Sequence, residues 1–403
     1  MSHSTGPAKT GRTGRPGLAR SLAVHIVMVG AGAHGHINPN LPVIAELVAR
    51  GHRVRYAVSG PFAELVASSG ATPLLHTSVL PDETRDEAWP EDPVVGMQLF
   101  LDEGRHVTPQ LEAALENDRP DVFLADIGGY AARVLGRRWG VPCVQLSPAM
   151  VAWEGFEHAT GMAGLLETPE GAAFRADFAD WLAAEGVDLA PETFMGIPDS
   201  SIVLIPRQLQ PHADKVDPDR YTFVGPCLDA REHQGDWDDD VDVLVSLGSA
   251  YTADPAFWRT VAEAFAGRRT VLAIGRRIDP ADLGELPDGV TAHAWIPQLA
   301  VLRRTSLFVT HAGMGGCSEG LATATPMIAI PQAVDQFGNA EMLEAAGIGV
   351  TVDRAAVTVE ALRGAAATLD TDAVRTRSRA AADELAAAGG ARRAADLVEQ
   401  VRS

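Results

Sequence analysis

Cysteine is scarce in this sequence of 403 residues. Three cysteines are present, Cys143, Cys227 and Cys317, and they are widely separated. No two of them have the Cys-x-x-Cys spacing of zinc sites and redox-active dithiols, and an odd number gives no complete disulfide framework. The scarcity excludes a cysteine-rich secreted scaffold and predicts buried free thiols in a reducing cytoplasm.

Positive charge and long apolar runs are also scarce. The 33 Lys and Arg residues against 53 Asp and Glu give a formal net charge of −20. Nucleic-acid binding needs clustered basic residues, so we expect no nucleic-acid partner. The basic stretch 1–22 is not followed by the apolar segment of a signal peptide, and Val24–Val29 is too short to cross a membrane. We therefore expect a disordered basic tail at 1–22, no membrane partner and a cytoplasmic location.

Strand-like and helix-like patterns alternate along most of the chain. Val24–Val29 is followed by a helical pattern over Leu41–Arg50, and this order recurs through both halves of the sequence. The alternation predicts an α/β fold with two Rossmann-like domains that face a cleft, each built on a parallel sheet. Periodicity is lost where Pro, Asp and Gly accumulate, which predicts a linker. The predicted segments are a tail at 1–22, an N-terminal domain at 23–225, a linker at 226–242, a C-terminal domain at 243–380 and a final helix at 381–403.

The segment from 295 to 336 contains, in order, groups suited to each part of a sugar nucleotide. An indole can stack on a nucleobase. A histidine and three glycines at the start of a helix offer donors to a diphosphate, because bare backbone amides and the helix dipole favour negative charge. A glutamate on that helix suits ribose hydroxyls, and an adjacent carboxylate and amide after the next strand suit sugar hydroxyls. A glutamine, Gln298, also lies close to the indole in the sequence. The candidate residues of this segment are Trp295, Gln298, His311, Gly313, Gly315, Gly316, Glu319, Asp335 and Gln336.

This segment resembles the nucleotide-sugar signature of the UDP-glycosyltransferase superfamily, and most closely the macrolide glucosyltransferases of antibiotic-producing actinomycetes, such as the oleandomycin glucosyltransferases. The resemblance extends from about Val24 to the C-terminus. Further motifs that carry it are Gly51-His52-Arg53-Val54, Arg138-Trp139-Gly140-Val141-Pro142, Leu209-Gln210-Pro211-His212-Ala213-Asp214, Thr222-Phe223-Val224-Gly225 and Val245-Ser246-Leu247-Gly248-Ser249-Ala250.

The resemblance implies a glycosyltransferase B fold, in which the N-terminal domain binds an acceptor and the C-terminal domain binds the nucleotide sugar. It also implies that the final helix at 381–403 packs back onto the N-terminal domain. The implied donor is UDP-glucose and the implied acceptor is a lipophilic, hydroxylated small molecule. No cofactor is expected beyond the donor. The acceptor pocket is expected to form from loops around 89–100 and 151–189.

His36 matches the position of the catalytic base in that family. A histidine suits this task because its ordinary pKa lies near neutral pH. A histidine that only caps the following helix is the structural alternative. His34 could join His36 on zinc, but no third ligand is recognisable nearby, so no metal site is expected.

The glycines at Gly30–Gly35 form a Gly-x-Gly-x-x-Gly pattern, which taken alone would indicate a dinucleotide fold. Two features count against a nicotinamide cofactor. No acidic residue ends the second strand, where a ribose would be bound, and Pro39 lies where the phosphate-binding helix should open.

Asp126 is the expected partner of His36, because it ends the apolar strand Val122–Ala125 and its position matches the family's histidine–aspartate pair. Such a carboxylate fixes the tautomer of the base and stabilises the imidazolium. A simple N-cap for the helix near Tyr130 is the structural alternative.

Ser249, Asp240 and Asp242 are three further polar residues that could act at the diphosphate. Ser249 follows the first strand of the second domain and is expected to reach it. Asp240 and Asp242 form an Asp-x-Asp pattern that holds a divalent cation in a different glycosyltransferase fold, but they lie in an acidic linker and are expected to be solvated.

The predicted reaction is therefore metal-independent, inverting transfer of glucose to a hydroxyl of a macrolide or similar natural product. Three alternatives are a TDP-deoxysugar glycosyltransferase of antibiotic biosynthesis, a nucleotide-sugar epimerase on the same fold, and a non-catalytic sugar-nucleotide sensor.

Overall fold

The computed structural model describes residues 23–401 except 82–86, 88, 229–233, 249–253 and 334. The predicted tail at 1–22 lies outside the described residues. In the part that is described, no helix combines the length and apolar character needed to span a membrane.

The first sheet has seven parallel strands in the order β3-β2-β1-β4-β5-β6-β7. Their bounds are His25–Val29 (β1), Arg53–Val58 (β2), Thr72–Leu75 (β3), Val122–Ala125 (β4), Cys143–Ser147 (β5), Ser201–Val203 (β6) and Tyr221–Phe223 (β7). Chain order reverses between β1 and β4, which is where open α/β sheets bind ligands. Val29 lies opposite Ala125 in the register, so the residues that follow them, Gly30 and Asp126, are brought side by side.

The second sheet has six parallel strands in the order β10-β9-β8-β11-β12-β13. Their bounds are Val243–Ser246 (β8), Thr270–Ala273 (β9), Val290–His293 (β10), Phe308–Thr310 (β11), Met327–Ala329 (β12) and Gly349–Thr351 (β13). The predicted α/β fold with two Rossmann-like domains is confirmed.

Helices cover both faces of each sheet. Those of the first half are His34–Ala49 (α1), Ala63–Ala67 (α2), Pro93–Leu115 (α3), Tyr130–Trp139 (α4), Phe156–Ala159 (α5), Met162–Glu167 (α6), Pro169–Ala184 (α7) and Pro191–Gly196 (α8). Those of the second half are Pro255–Ala264 (α9), Gln298–Leu302 (α10), Met314–Ala322 (α11), Gln336–Ala345 (α12), Val359–Leu369 (α13), Asp372–Ala387 (α14) and Gly390–Gln400 (α15).

The alternation of side chains along β1 explains the two layers of core around the first sheet. Ile26 and Met28 point to a cluster that includes residues of α1 and α15, whereas Val27 and Val29 point to a cluster with α3 and α4. Both faces are therefore buried, as expected for a parallel sheet covered by helices on each side.

Helix α1 begins earlier than the sequence pattern predicts. The prediction of a helix over 41–50 is wrong in its start, because α1 begins at His34 and contains Pro39 and Pro42. A proline removes one helical hydrogen bond. Burial of Ile37, Ile44 and their neighbours on one face outweighs that loss. His36 consequently lies in the first turn of a helix and not in a loop.

The region 89–100, predicted as loop, is also largely helical. Helix α3 begins at Pro93, and the side chain of Asp92 accepts hydrogen bonds from Val94 N at 2.8 Å and Val95 N at 3.1 Å. Asp-Pro at the start of a helix is a favourable N-terminal pair, because the aspartate caps the helix and proline occupies a position that needs no donor. Most of this region is thus a helix and not a loop.

The last predicted helix, 381–403, is split in two. Gly389 and Gly390 have φ of +95° and +55°, a left-handed conformation that ends α14 and redirects the chain into α15. Position 381 therefore lies inside α14. Helix α15 packs against α1, where Arg50 Nη1 contacts Asp396 at 2.7 Å and His52 Nε2 contacts Glu399 at 2.8 Å. The C-terminal helix thus lies on the N-terminal domain.

Candidate functional site

His36 and Asp126 meet at the carboxyl edge of the first sheet. The Nδ1 atom of His36 lies 3.0 Å from Oδ2 of Asp126. Asp126 is fully buried, whereas a quarter of the His36 side chain is exposed. An ionised carboxylate only accepts, so Nδ1 carries the proton and Nε2 carries the lone pair. The pair has the arrangement of a base held by a buried carboxylate.

Backbone amides hold the Asp126 carboxylate in place. Ala31 N donates to Oδ2 at 2.9 Å, and Gly128 N donates to Oδ1 at 2.7 Å. These bonds fix the orientation of the carboxylate beside His36. The helix α4 has Gly129 as its N-cap residue without a side-chain bond, so capping by Asp126 does not explain this geometry.

Gly30 provides the space for the Asp126 carboxylate. A Cβ at Gly30 would lie 2.8 Å from Asp126 Oδ2, which is closer than real Cβ contacts. Gly30 therefore lets the carboxylate approach the backbone. This accounts for the first glycine of the pattern without a dinucleotide.

An aromatic pair lies beside the histidine–aspartate pair. Trp89 stacks on Phe100 with ring centroids 5.7 Å apart. A Cβ at Gly128 would lie 2.8 Å from the Phe100 ring, so this ring packs directly on the turn that follows Asp126. Ile127 in that turn is partly exposed. Apolar surface of this kind next to a base suits a lipophilic reactant.

His311 lies at the carboxyl end of the second sheet, between two glycines. A Cβ at Gly248 would lie 2.7 Å from His311 Cε1, and one at Gly313 would collide with Nε2. Nδ1 is buried and has no hydrogen-bond partner among the described residues. Burial lowers the pKa of His311, and the charge of Asp335 opposes this effect. The ring is thus favoured as a neutral imidazole at the start of α11.

The glycine-rich turn leads directly into α11. Gly313 is the N-cap residue of this helix, and Gly315 and Gly316 lie in its first turn. Met314 packs against a cluster of the N-terminal domain that includes Val203 and Ile205. The positive end of the helix dipole therefore lies where the two domains meet.

Glu319 and Gln298 are brought together by α10 and α11. The Gln298 side chain donates to the Glu319 carboxylate, and Glu319 is fully buried. Trp295, just before α10, has 53% of its surface exposed, although most tryptophans are buried. An exposed indole near a buried, hydrogen-bonded carboxylate suits a nucleoside.

Asp335 and Gln336 differ in exposure despite being adjacent. Asp335 is exposed at the start of α12. Gln336 is buried, and its Oε1 accepts from Gln332 N at 2.8 Å and Ala333 N at 3.2 Å. Gln336 thus holds the loop before α12, and Asp335 presents a carboxylate to solvent.

Three other residues from the sequence analysis do not contribute to this site as described. Ser249 is not among the described residues. Asp240 and Asp242 pair with Arg269, at 3.4 and 2.7 Å, on the surface. No group of three or more potential metal ligands occurs within the described parts of the chain.

Comparison with known proteins identifies the group to which this chain belongs. A family model described as UDP-glucoronosyl and UDP-glucosyl transferase matches residues 239–375. The chain is 51% identical to the oleandomycin glycosyltransferase of Streptomyces antibioticus over 94% of this chain and 91% of the relative. It belongs to the UDP-glycosyltransferase family.

Other relatives agree with this assignment. The crystal structure of the glycotransferase of kitacinnamycin superposes with a TM-score of 0.86 at 45% identity, covering 94% of this chain and 98% of the other. The demethyllactenocin mycarosyltransferase of Streptomyces fradiae is 30% identical over 94% of this chain and 87% of its own length. The protein is therefore a glycosyltransferase with a nucleotide-sugar donor and the glycosyltransferase B fold.

Some residues of this glycosyltransferase site were not identified from the sequence. Ala31 and Gly128 bond Asp126 through their backbone amides, so their side chains give no sign of this role. Only their positions after β1 and β4 could have predicted it. Asn339, which bonds Asp335, was also missed. Its spacing of four residues from Asp335 at the start of a helix was the available signal.

Proposed function

We propose that this protein transfers glucose from UDP-glucose to a hydroxyl of a macrolide or similar lipophilic natural product, with inversion and without a metal ion. The observation that carries the proposal is the bond between His36 and the fully buried Asp126. Glucosylation of a finished antibiotic would serve self-resistance. The free thiols of Cys143, Cys227 and Cys317 support action in the cytoplasm.

The base and its partner account for the nucleophile. Nε2 of His36 takes the proton of the acceptor hydroxyl as its oxygen bonds to the anomeric carbon. Asp126 stabilises the imidazolium that forms. The bond from the anomeric carbon to the UDP oxygen breaks on the opposite face, so an α-linked donor gives a β-glycoside and UDP.

The start of α11 accounts for the leaving group. The amides from Gly313 to Gly316 and the ring of His311 are donors fixed before the reaction, and they meet the charge that develops on the diphosphate. Burial lowers the pKa of His311, which favours the neutral ring before the diphosphate arrives. The negative phosphates then favour its protonation.

Activity should survive a strong chelator. The leaving group is neutralised by His311 and backbone amides, and Asp240 and Asp242 are engaged by Arg269. Initial rates measured with and without EDTA after extensive dialysis should agree within about twofold. A catalytic metal contributes several kcal/mol, so its removal would lower the rate far more than that. Loss of activity that magnesium or manganese restores would contradict this mechanism.

The apolar surface beside the base supports a lipophilic acceptor. Phe100 packs on the turn that follows Asp126, Trp89 stacks on Phe100, and Ile127 lies in that turn. The relative from Streptomyces antibioticus is named for oleandomycin. Aromatic and aliphatic side chains gain free energy from covering apolar area.

A competition between donors tests the choice of sugar. Asp335 is a pure acceptor, and a site that bonds a hydroxyl rejects a sugar lacking it, because the carboxylate is left unpaired. UDP-glucose should react at least about tenfold faster than a TDP-dideoxysugar when both are present. Asp335→Ala should weaken glucose transfer more than it weakens UDP binding.

The alternative donor has one specific observation in its favour. The demethyllactenocin mycarosyltransferase is a full-length relative at 30% identity, and its name refers to transfer of mycarose. A faster reaction with the TDP-deoxysugar in the same competition would therefore assign the protein to antibiotic assembly and overturn the UDP-glucose proposal.

A further inference from the structure

Asn339 links the glycine-rich turn to the exposed carboxylate of Asp335. It lies in the first turns of α12 and is fully buried. Its Nδ2 group donates to Ala312 O at 2.9 Å and to Asp335 Oδ2 at 3.0 Å. Both hydrogens of one amide are thus used by two different parts of the donor site.

Ala312 is the strained part of the turn after β11. Its φ is +62°, a left-handed conformation that residues with a Cβ rarely adopt, and it is fully buried. A buried carbonyl is unfavourable without a donor. The bond from Asn339 satisfies this carbonyl and stabilises the backbone that leads into Gly313.

Asp335 has little to orient it apart from Asn339. As the N-cap residue of α12 its side chain makes no capping bond to the helix backbone. The bond from Asn339 to Oδ2 restricts rotation of the carboxylate. Within the described residues Oδ1 has no hydrogen-bond donor assigned to it, so it can accept a hydroxyl.

We propose that Asn339 is a positioning residue that orients Asp335 toward the hexose of the donor. It also holds the glycine-rich turn that leads into α11. The inference rests on the proposed function, because it assumes that Asp335 meets the sugar. Recognition of the sugar then depends on a residue that is itself buried. Asn339 also couples the sugar site to the diphosphate site, since one amide serves both.

Equilibrium binding tests this role without catalysis. Calorimetry on the full chain would measure Kd for UDP and for UDP-glucose. The ratio of Kd for UDP to Kd for UDP-glucose isolates the contribution of the sugar. Asn339→Ala should reduce that ratio by about tenfold, to the level of Asp335→Ala. In the Asp335→Ala background, Asn339→Ala should leave the ratio unchanged. Glu341→Gln, an exposed position on the same helix, is the matched control and should behave as wild type.

Asn339→Asp provides a second variant of the same size, in case the alanine variant does not fold. It removes the donor and places a like charge beside Asp335, so the same loss of ratio is expected. An unchanged ratio, equal losses for UDP and UDP-glucose, or additive losses in the double variant would overturn the proposal. Failure of the proposed function would appear separately, as wild type that binds UDP-glucose but glycosylates no hydroxyl acceptor.

Discussion

Replacing His36 by alanine should reduce glycosyl transfer by about 10²–10⁴-fold, the usual effect of removing a general base. Without Nε2 the acceptor hydroxyl must attack while it keeps its proton. Affinity for UDP should be nearly unchanged, because His36 belongs to the first domain and the glycine-rich turn before α11 belongs to the second. Steady-state kinetics with saturating acceptor and calorimetry with UDP would separate the two effects.

His34 offers a matched control for that variant. It lies in the same turn of α1, and its ring contacts Phe62 at 5.2 Å between centroids. His34→Ala should therefore retain transfer within a few-fold of wild type. Full activity in His36→Ala would remove His36 from the mechanism.

Asp126→Asn should produce the second large loss, roughly 10²–10⁴-fold in kcat. The amide matches the carboxylate in size, but its single oxygen can accept from Ala31 N or from Gly128 N and not from both. It cannot stabilise an imidazolium, and its NH₂ group favours the wrong tautomer of His36. Circular dichroism and thermal unfolding of the variant would show whether the fold is intact.

The double variant His36→Ala/Asp126→Asn shows whether the two residues act as a unit. Once the imidazole is gone, Asp126 has no catalytic group to support, so the double variant should be about as active as the worse single variant. Losses that multiply would mean that Asp126 contributes through a separate route, and the pair would not be a functional unit.

The fold could be predicted from the sequence largely because its strands are buried on both faces. Runs such as Val122–Ala125 and Val243–Ser246 are continuously apolar, and this is what a parallel sheet covered by helices requires. Helix bounds were less predictable. The pattern predicts a helix only from Leu41, but the helix begins at His34 and includes Pro39, because a buried apolar face outweighs a lost hydrogen bond.

The site could be predicted only as far as side chains define it. His36 and Asp126 follow neighbouring strands, so the sheet itself brings them together. The space at Gly30 and the amides that hold Asp126 depend on the backbone path, which residue patterns do not encode. Gln336 was predicted to bond the sugar, whereas its Oε1 is used by the loop before it, because that loop has amides without other acceptors.

The stereochemistry of the product tests the central claim most directly. The purified protein would be incubated with UDP-glucose and a panel of macrolides, and the anomeric proton of any glucoside examined by NMR. A single displacement assisted by His36 requires a β-glucoside from the α-linked donor, with UDP released in equal amount. An α-glucoside, or turnover of UDP-glucose to an epimeric nucleotide sugar without an acceptor, would contradict the assignment of His36 and Asp126 as the base of an inverting transferase.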